Sequence, residues 1–160
     1  MTMTTTRMAS ADDIADVKNV IAESIRALCK DHYTSGQLKS LLAQYPRREV
    51  YEKWLCERIL VVAEQEDKIV GFAQYYPPDN SIEAVHVLPS HAKHGVGKML
   101  LALIEEIASN QGTQQISLGS SLNAVGFYEK CGYVRKASGT FKCNDGVELG
   151  IVNYEKKLGN

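Results

Sequence analysis

Apolar residues recur at helical spacing over two stretches of the N-terminal third of the chain. The first covers residues 14–28, behind a serine and two aspartates that suit a helix N-terminus, and predicts a helix ending near His32. The second starts at Thr34 and predicts a helix that stops before Pro46, because the residue preceding a proline avoids helical backbone angles. A shorter helix is predicted over residues 50–55.

Short apolar runs separated by turn residues predict strands elsewhere in the chain. Two of these runs are joined by an acidic link at residues 64–67 and predict a hairpin. Two runs near the C-terminus flank the turn-forming residues Asn144, Asp145 and Gly146. The predicted strands cover residues 5–8, 59–63, 69–73, 81–88, 115–118, 133–136 and 148–154.

Two further helices alternate with strands in the C-terminal half. One has its apolar face over residues 99–107 and ends near Gly112, and the other covers residues 123–130 and is closed by Gly132. The order of elements places antiparallel hairpins around one strand–helix–strand unit. We therefore predict a mixed α/β sheet packed against helices, and not a doubly wound fold, in a single domain over residues 1–160.

Charge and composition argue against several classes of partner. The formal net charge is −1 and there is no long basic run, so nothing points to nucleic acid or an anionic membrane surface. No apolar run approaches the ~18 residues that cross a bilayer, and the N-terminus lacks the apolar segment of a secretory signal. The four cysteines form no metal-binding or redox motif. We expect a cytoplasmic protein with reduced cysteines and no metal.

A glycine-rich corner follows the strand at residues 81–88, but it fits neither of two familiar phosphate-binding loops. A Walker A loop would need glycine at Ala92 and a hydroxyl side chain at Met99, although Gly97 and the following lysine match its end. A dinucleotide-binding fingerprint would need a third glycine at Leu100 and an early strand–helix–strand unit.

The same corner can still bind an anion. The helix that follows it begins with unpaired N–H groups, and glycines let an anionic group approach the backbone. Lys93, His94 and Lys98 add positive charge, so a pyrophosphate would fit. The alternative is a tight strand-to-helix turn in which Gly95 and Gly97 serve geometry alone.

A second motif, SLNAVGFYEKCGY, lies one helix and one strand later at residues 121–133. The first loop resembles the acetyl-CoA signature Gln/Arg-x-x-Gly-x-Gly/Ala of the GNAT superfamily of N-acetyltransferases, and the second motif resembles that family's other signature. The loop matches at Gly95 and Gly97 and departs at Ala92. The resemblance implies a GNAT fold, namely a mostly antiparallel sheet with a splayed central parallel pair and helices on both faces.

The resemblance also implies where acetyl-CoA binds. The pantetheine arm would pair with backbone groups of the strand before the loop, one of which would polarise the thioester carbonyl. The change at Ala92 would weaken this binding more than abolish it. Asn123 would bond the coenzyme, cap its helix, or do both. The implied coenzyme-binding residues are Val85, His86, Val87, Lys93, His94, Gly95, Val96, Gly97, Lys98, Asn123 and Tyr128.

Tyr128 matches the family tyrosine that lies near the coenzyme sulfur. A phenol that donates a proton there makes the thiolate a better leaving group. Two adjacent residues cannot both face the core, so we assign Phe127 to the core and Tyr128 to the sulfur, with a core role for Tyr128 as the alternative. Cys131 could suggest covalent catalysis, but no histidine lies near it in the sequence, and a small buried residue is the simpler interpretation.

Glu83 is the candidate base that accepts the amine's proton. Strand alternation puts Glu83, Val85 and Val87 on one face and Ile82 with His86 on the other, so the carboxylate would lie beside the thioester. It could act directly or through a water. The alternatives are His86 as the base and a solvated acid at the strand edge.

The acceptor site is less well defined by the sequence. In relatives, the first two helices and their loop cover the acceptor. The resemblance therefore predicts as substrate-binding residues Tyr33, Gln37 and Tyr75, and as further candidates Trp54 and Tyr76. The alternative for each of these residues is ordinary packing. The implied function is transfer of acetyl from acetyl-CoA to a primary amine of a small molecule. The resemblance also implies that the chain can form a homodimer, although no residue identifies an interface. The competing interpretation is a catalytically degenerate acetyl-CoA sensor.

Overall fold

A computed structural model describes residues 2–44 and 46–159 of the protein. The strands are β1 (Thr4–Met8), β2 (Ile59–Gln65), β3 (Lys68–Tyr76), β4 (Ser81–Val87), β5 (Gln115–Ser121), β6 (Val134–Lys142) and β7 (Glu148–Lys157). The α-helices are α1 (Ile14–Leu28), α2 (Ser35–Leu42), α3 (Arg48–Glu57), α4 (Val96–Asn110) and α5 (Val125–Lys130). The strands form one sheet in the order β1-β2-β3-β4-β5-β7-β6, in which β4 and β5 are parallel and every other neighbouring pair is antiparallel. The predicted mixed sheet is confirmed.

The two faces of the sheet are covered by different helices. On β3, a β-carbon at Gly71 would lie 2.9 Å from Val96 Cγ1, so this residue faces α4. The next residue, Phe72, points to the opposite face and pairs with His86, whose ring contacts Ser24 of α1. Helices on both faces of the sheet, as predicted, therefore bury its central strands.

The hairpin between β2 and β3 turns through two residues with left-handed backbone angles, Glu66 (φ 53°) and Asp67 (φ 60°). Positive φ at both turn positions is the geometry that matches the right-handed twist of the flanking strands. The acidic link was correctly predicted as a hairpin, although the strands continue further into it than the apolar runs indicated.

The first helix is shorter than predicted. It ends at Leu28, and the chain turns at Cys29 instead of continuing to His32. The turn carries Tyr33 inward, where its hydroxyl donates to Gly150 O at 2.7 Å. A tertiary contact, not local helix preference, therefore sets the end of α1. Helix α2 begins as predicted, with Thr34 as its N-cap.

A small second core lies between α1, α2 and the β6–β7 hairpin. Its buried members, which we call the hairpin cluster, are Cys29, Tyr33, Cys143 and Leu149. The main core packs the central strands of the sheet against α1 on one face and α4 on the other. The hairpin cluster fixes the end of β7 against the first helix, which matters for the cleft described next.

Candidate active site

The parallel strands β4 and β5 pair over two residues and then separate. The pairs are Ser81 with Ser117 and Ile82 with Leu118, whereas β4 continues to Val87 without a partner on that side. The gap forms a cleft of about 1120 Å³ that is lined by both strands, by α1, by α4 and α5, and by the β6–β7 hairpin. The splayed pair expected from the resemblance is confirmed.

Glu83 is an extra residue in β4 at the point where the strands part. Gln74 pairs with Ala84 and Tyr75 pairs with Ile82, so Glu83 has no partner on β3 and forms a β-bulge. The predicted alternation is therefore wrong across the bulge, since Ile82 faces the same side as Val85. The bulge leaves the Glu83 side chain exposed in the lining of the cleft.

The glycine corner forms the other border of the cleft. Lys93 and Gly95 have left-handed backbone angles (φ 62° and 85°), and α4 begins directly after Gly95 with no side-chain cap. The N–H groups of the first turn of α4 therefore have no acceptor within the helix and are available to an anion.

Not every residue of the corner faces the cleft. Lys93, Gly95, Gly97 and Lys98 line it, whereas the Val96 side chain is buried against Gly71. His94 is exposed and lies outside the lining, so its predicted role is limited to its backbone.

The predicted roles of Phe127 and Tyr128 in packing are reversed in the structure. Tyr128 is 6% exposed, and its ring packs edge-on against Phe127 and Tyr133 at centroid distances of 5.0 and 5.8 Å, whereas Phe127 is half-buried. Tyr128 nevertheless lines the cleft. Burial raises the pKa of the Tyr128 phenol well above its ordinary value, so the phenol stays protonated. No hydrogen-bond partner is found for its hydroxyl among the described residues, which leaves it free to donate.

Asn123 does not cap its helix, contrary to one of the two predictions. Helix α5 begins at Val125 after a 3-10 turn, and Asn123 lies within that turn. Its Oδ1 accepts a hydrogen bond from Cys29 Sγ at 3.3 Å, and the residue lines the cleft. Burial raises the pKa of Cys29 to about 11, so the thiol stays protonated and can donate.

His86 lies in the cleft next to α1. Its Nδ1 is 3.4 Å from Ser24 Oγ, and burial lowers the pKa of its imidazole to about 4. The ring is therefore neutral at physiological pH. Val85 and Val87, its neighbours on β4, also line the cleft.

Of the three predicted substrate-binding residues, one lines the cleft and two do not. Tyr33 lines the cleft. Gln37 does not, because it completes the N-terminal capping of α2 and donates from Nε2 to Glu148 O at 3.0 Å. Tyr75 is fully buried outside the cleft, with its hydroxyl 3.3 Å from Asn80 Oδ1, so its assignment is corrected to packing. Trp54 and Tyr76 likewise lie outside the lining.

Sequence reasoning missed the contribution of the C-terminal hairpin. Phe141, Leu149 and Ile151 line the cleft on the side of α1. The alternation of β7 indicated a strand but could not indicate that this hairpin packs against Cys29 and Tyr33, just beyond the end of α1. Cys131 also lines the cleft, and burial raises the pKa of its thiol, which disfavours the nucleophilic thiolate.

Within residues 2–44 and 46–159, no group of three His, Cys, Asp or Glu side chains could hold a metal ion. The helices over these same residues are all too short or too polar to serve as a membrane span.

Known proteins resemble this chain in sequence and in fold. The Acetyltransferase (GNAT) family matches residues 24–133. The N-acetyltransferase YjcF from Bacillus subtilis is 28% identical to this chain, over 73% of this chain and 85% of its own length. The protein YyaT from the same organism is 32% identical, but the match covers 49% of this chain and about half (53%) of YyaT.

Solved structures agree. A GCN5-related N-acetyltransferase from Rhodopseudomonas palustris superposes with a TM-score of 0.90 at 27% identity, over 96% of this chain and 95% of that one. The PaiA N-acetyltransferase from Thermoplasma acidophilum, solved in complex with coenzyme A, superposes with a TM-score of 0.79 at 19% identity, over 97% and 99%. Since the family match covers more than half of the chain and the parted strands lie within it, this protein belongs to the GNAT family of acetyltransferases.

Proposed function

We propose that this protein transfers an acetyl group from acetyl-CoA to a primary amine of a small molecule, by direct attack while both substrates are bound. One observation carries the proposal: β4 and β5 part after Ile82 and Leu118, and the gap leads to the uncapped N-terminus of α4 at Gly95. The Thermoplasma protein of the same fold binds coenzyme A, which supports the same ligand here.

Two parts of coenzyme A, the pyrophosphate and the pantetheine arm, find groups of matching chemistry in the cleft. The first-turn N–H groups of α4 suit the pyrophosphate, and Lys93 with Lys98 adds positive charge beside them. The segment of β4 from Glu83 to Val87 lacks a neighbour on the β5 side and can pair with the pantetheine arm as an added strand.

Two side chains are suited to move protons. The amine nitrogen forms a bond to the carbonyl carbon, and a backbone N–H of β4 stabilises the negative charge on the oxygen. Glu83, exposed at the bulge, accepts a proton from the amine directly or through water. The carbon–sulfur bond then breaks, and Tyr128 donates its proton to the departing sulfur.

Thiol release from acetyl-CoA, measured with a chromogenic thiol reagent across a panel of primary amines, tests the proposal. We expect release that requires an amine and saturates with it, together with acetylated amine detected by mass spectrometry. Tight acetyl-CoA binding by calorimetry without turnover of any amine would instead identify a sensor of acetyl-CoA.

A further inference from the structure

We infer that the acceptor is a primary amine on an aromatic or branched aliphatic body that carries no phosphate or carboxylate. This inference rests on the proposed function and names the substrate class of the same site. It follows from the chemistry of one end of the cleft, which differs from that of the other.

The cationic end of the cleft is bordered by α4 and α5. Lys93, Lys98 and Lys130 line this end, which suits the phosphates of the coenzyme. The opposite end, which we call the acceptor end, is bordered by α1, α2 and the β6–β7 hairpin. Its apolar lining consists of Leu28, Tyr33, Leu41, Phe141, Leu149 and Ile151.

The wall of the acceptor end is held in place by the hairpin cluster. Tyr33 and Leu149 belong both to that cluster and to the lining, so one side of each is packed in a core while the other faces the cleft. The wall is therefore a preformed apolar surface, which favours an apolar ligand because little conformational entropy is lost on binding.

Two polar groups of this wall, the Tyr33 hydroxyl and Asn123 Oδ1, are already engaged. The Tyr33 hydroxyl donates to Gly150 O at 2.7 Å and accepts from Leu122 N at 3.0 Å. Asn123 Oδ1 accepts from Cys29 Sγ at 3.3 Å. Neither atom is available to the hydroxyls of a sugar or another polyhydroxylated acceptor, and the apolar side chains of the wall would displace water from those hydroxyls without replacing its hydrogen bonds, which disfavours binding.

Charge at the acceptor end selects against anions. Among the described residues that line this end there is no lysine or arginine; its histidine is His32, exposed between α1 and α2, and the Glu83 carboxylate lies at the bulge of β4. An ammonium group is attracted to that carboxylate, and a phosphate or carboxylate on the acceptor would be desolvated without a lysine or arginine as counterion.

Phe141 supplies the surface for the body of the acceptor. This residue is 41% exposed on β6, opposite Leu149, and it lines the cleft. An aromatic or branched aliphatic group packed on this ring would cover apolar area that is otherwise in water. Val134, on the same strand and 59% exposed, lies outside the lining and provides a matched control.

The first test compares three amines in the thiol-release assay: 2-phenylethylamine, spermidine and glucosamine 6-phosphate. We expect kcat/KM for 2-phenylethylamine to exceed that for each of the other two at least tenfold. A preference for spermidine or glucosamine 6-phosphate would overturn this inference while leaving the acetyltransferase proposal intact. If neither these three amines nor a broader panel stimulated thiol release, the acetyltransferase proposal itself would be overturned.

The second test uses the variants Phe141→Ala and Val134→Ala. Phe141→Ala should raise the KM for 2-phenylethylamine about tenfold, with kcat and acetyl-CoA affinity unchanged, because it removes apolar contact with the acceptor alone. Val134→Ala should leave all three constants unchanged. An unchanged KM in Phe141→Ala, with the variant folded as judged by circular dichroism, would overturn the inference.

Discussion

The ring of Phe127 packs directly against the backbone of Gly97. A β-carbon at residue 97 would come within 2.9 Å of Phe127 Cζ, closer than side chains pack. Gly97 lies in the first turn of α4 and Phe127 in α5, and both line the cleft. The second glycine of the corner is therefore required for the approach of two helices, in addition to its proposed role of leaving open backbone beside the coenzyme.

Replacing Gly97 should weaken coenzyme binding without unfolding the protein. In Gly97→Ala, the added methyl group pushes Phe127 towards the cleft, and we expect acetyl-CoA affinity by calorimetry to fall about tenfold, within the range of overpacking costs. Gly36→Ala in α2 is the matched control, since its β-carbon would meet no atom closer than 3.9 Å. Equal affinity in the Gly97 variant and the wild type would remove the corner from the binding site.

Loss of the Tyr128 hydroxyl should affect the reaction and not the fold. Because this hydroxyl has no hydrogen-bond partner among the described residues, Tyr128→Phe should unfold at nearly the wild-type urea midpoint. If it protonates the leaving sulfur, kcat should fall about 100-fold while the KM for acetyl-CoA changes little.

Tyr133 provides a control in which loss of the hydroxyl should affect stability and not the reaction. Its hydroxyl donates to Glu105 Oε2 at 2.8 Å, and the residue lies outside the cleft lining. Tyr133→Phe should therefore lower the free energy of unfolding by about 2 kcal/mol, the scale of a hydrogen bond to a charged group, and leave kcat unchanged. A Tyr128→Phe variant with wild-type kcat would exclude the phenol as the proton donor.

Glu83→Gln should slow the reaction most where the amine is protonated. Without a carboxylate at the bulge, we expect kcat/KM at pH 7 to fall at least tenfold, and the deficit to narrow as the pH approaches the pKa of the amine. The measurement is a pH–rate profile for both proteins, with Glu106→Gln, exposed on α4, as the control. Superimposable wild-type and Glu83→Gln profiles would exclude Glu83 as the base.

The ion pair between Arg7 and Asp13 should make stability depend on acid pH. Arg7 Nη1 lies 2.8 Å from Asp13 Oδ2, and its hydrogen bond lowers the pKa of that mostly buried carboxyl. A lowered folded-state pKa stabilises the protein above the unfolded-state pKa of about 4, and the contribution is lost as the pH falls through the folded-state pKa.

Asp13→Asn tests this dependence by urea unfolding. At pH 7 the variant should be less stable than the wild type by about 2 kcal/mol, the scale of a charged hydrogen bond. The difference should shrink as the pH is lowered below 4, because the wild-type carboxyl then becomes protonated. A difference that stays constant from pH 7 to pH 3 would show that the charge of Asp13 contributes nothing.

Several positions at the site depend on contacts that the local sequence does not encode. Regular alternation would place Ile82 and Val85 on opposite faces, but the bulge at Glu83 puts them on the same face. Asn123 has a good capping side chain, yet it bonds Cys29, a residue 94 positions earlier in the chain. Of two adjacent aromatic residues, periodicity alone cannot decide which is buried, and here it is Tyr128.

The sequence by itself determined the element types, the mixed sheet and the glycine corner, because helical and strand periodicity and turn-forming residues act over short distances along the chain. It also carried the two motifs that mark the family. Only the tertiary structure decided the shape and chemistry of the cleft. The parting of β4 from β5 depends on strand pairing, and the apolar acceptor end depends on the packing of Leu149 against Cys29 and Tyr33, more than 100 residues earlier in the chain. Such contacts arise from packing between distant segments, which no local pattern records.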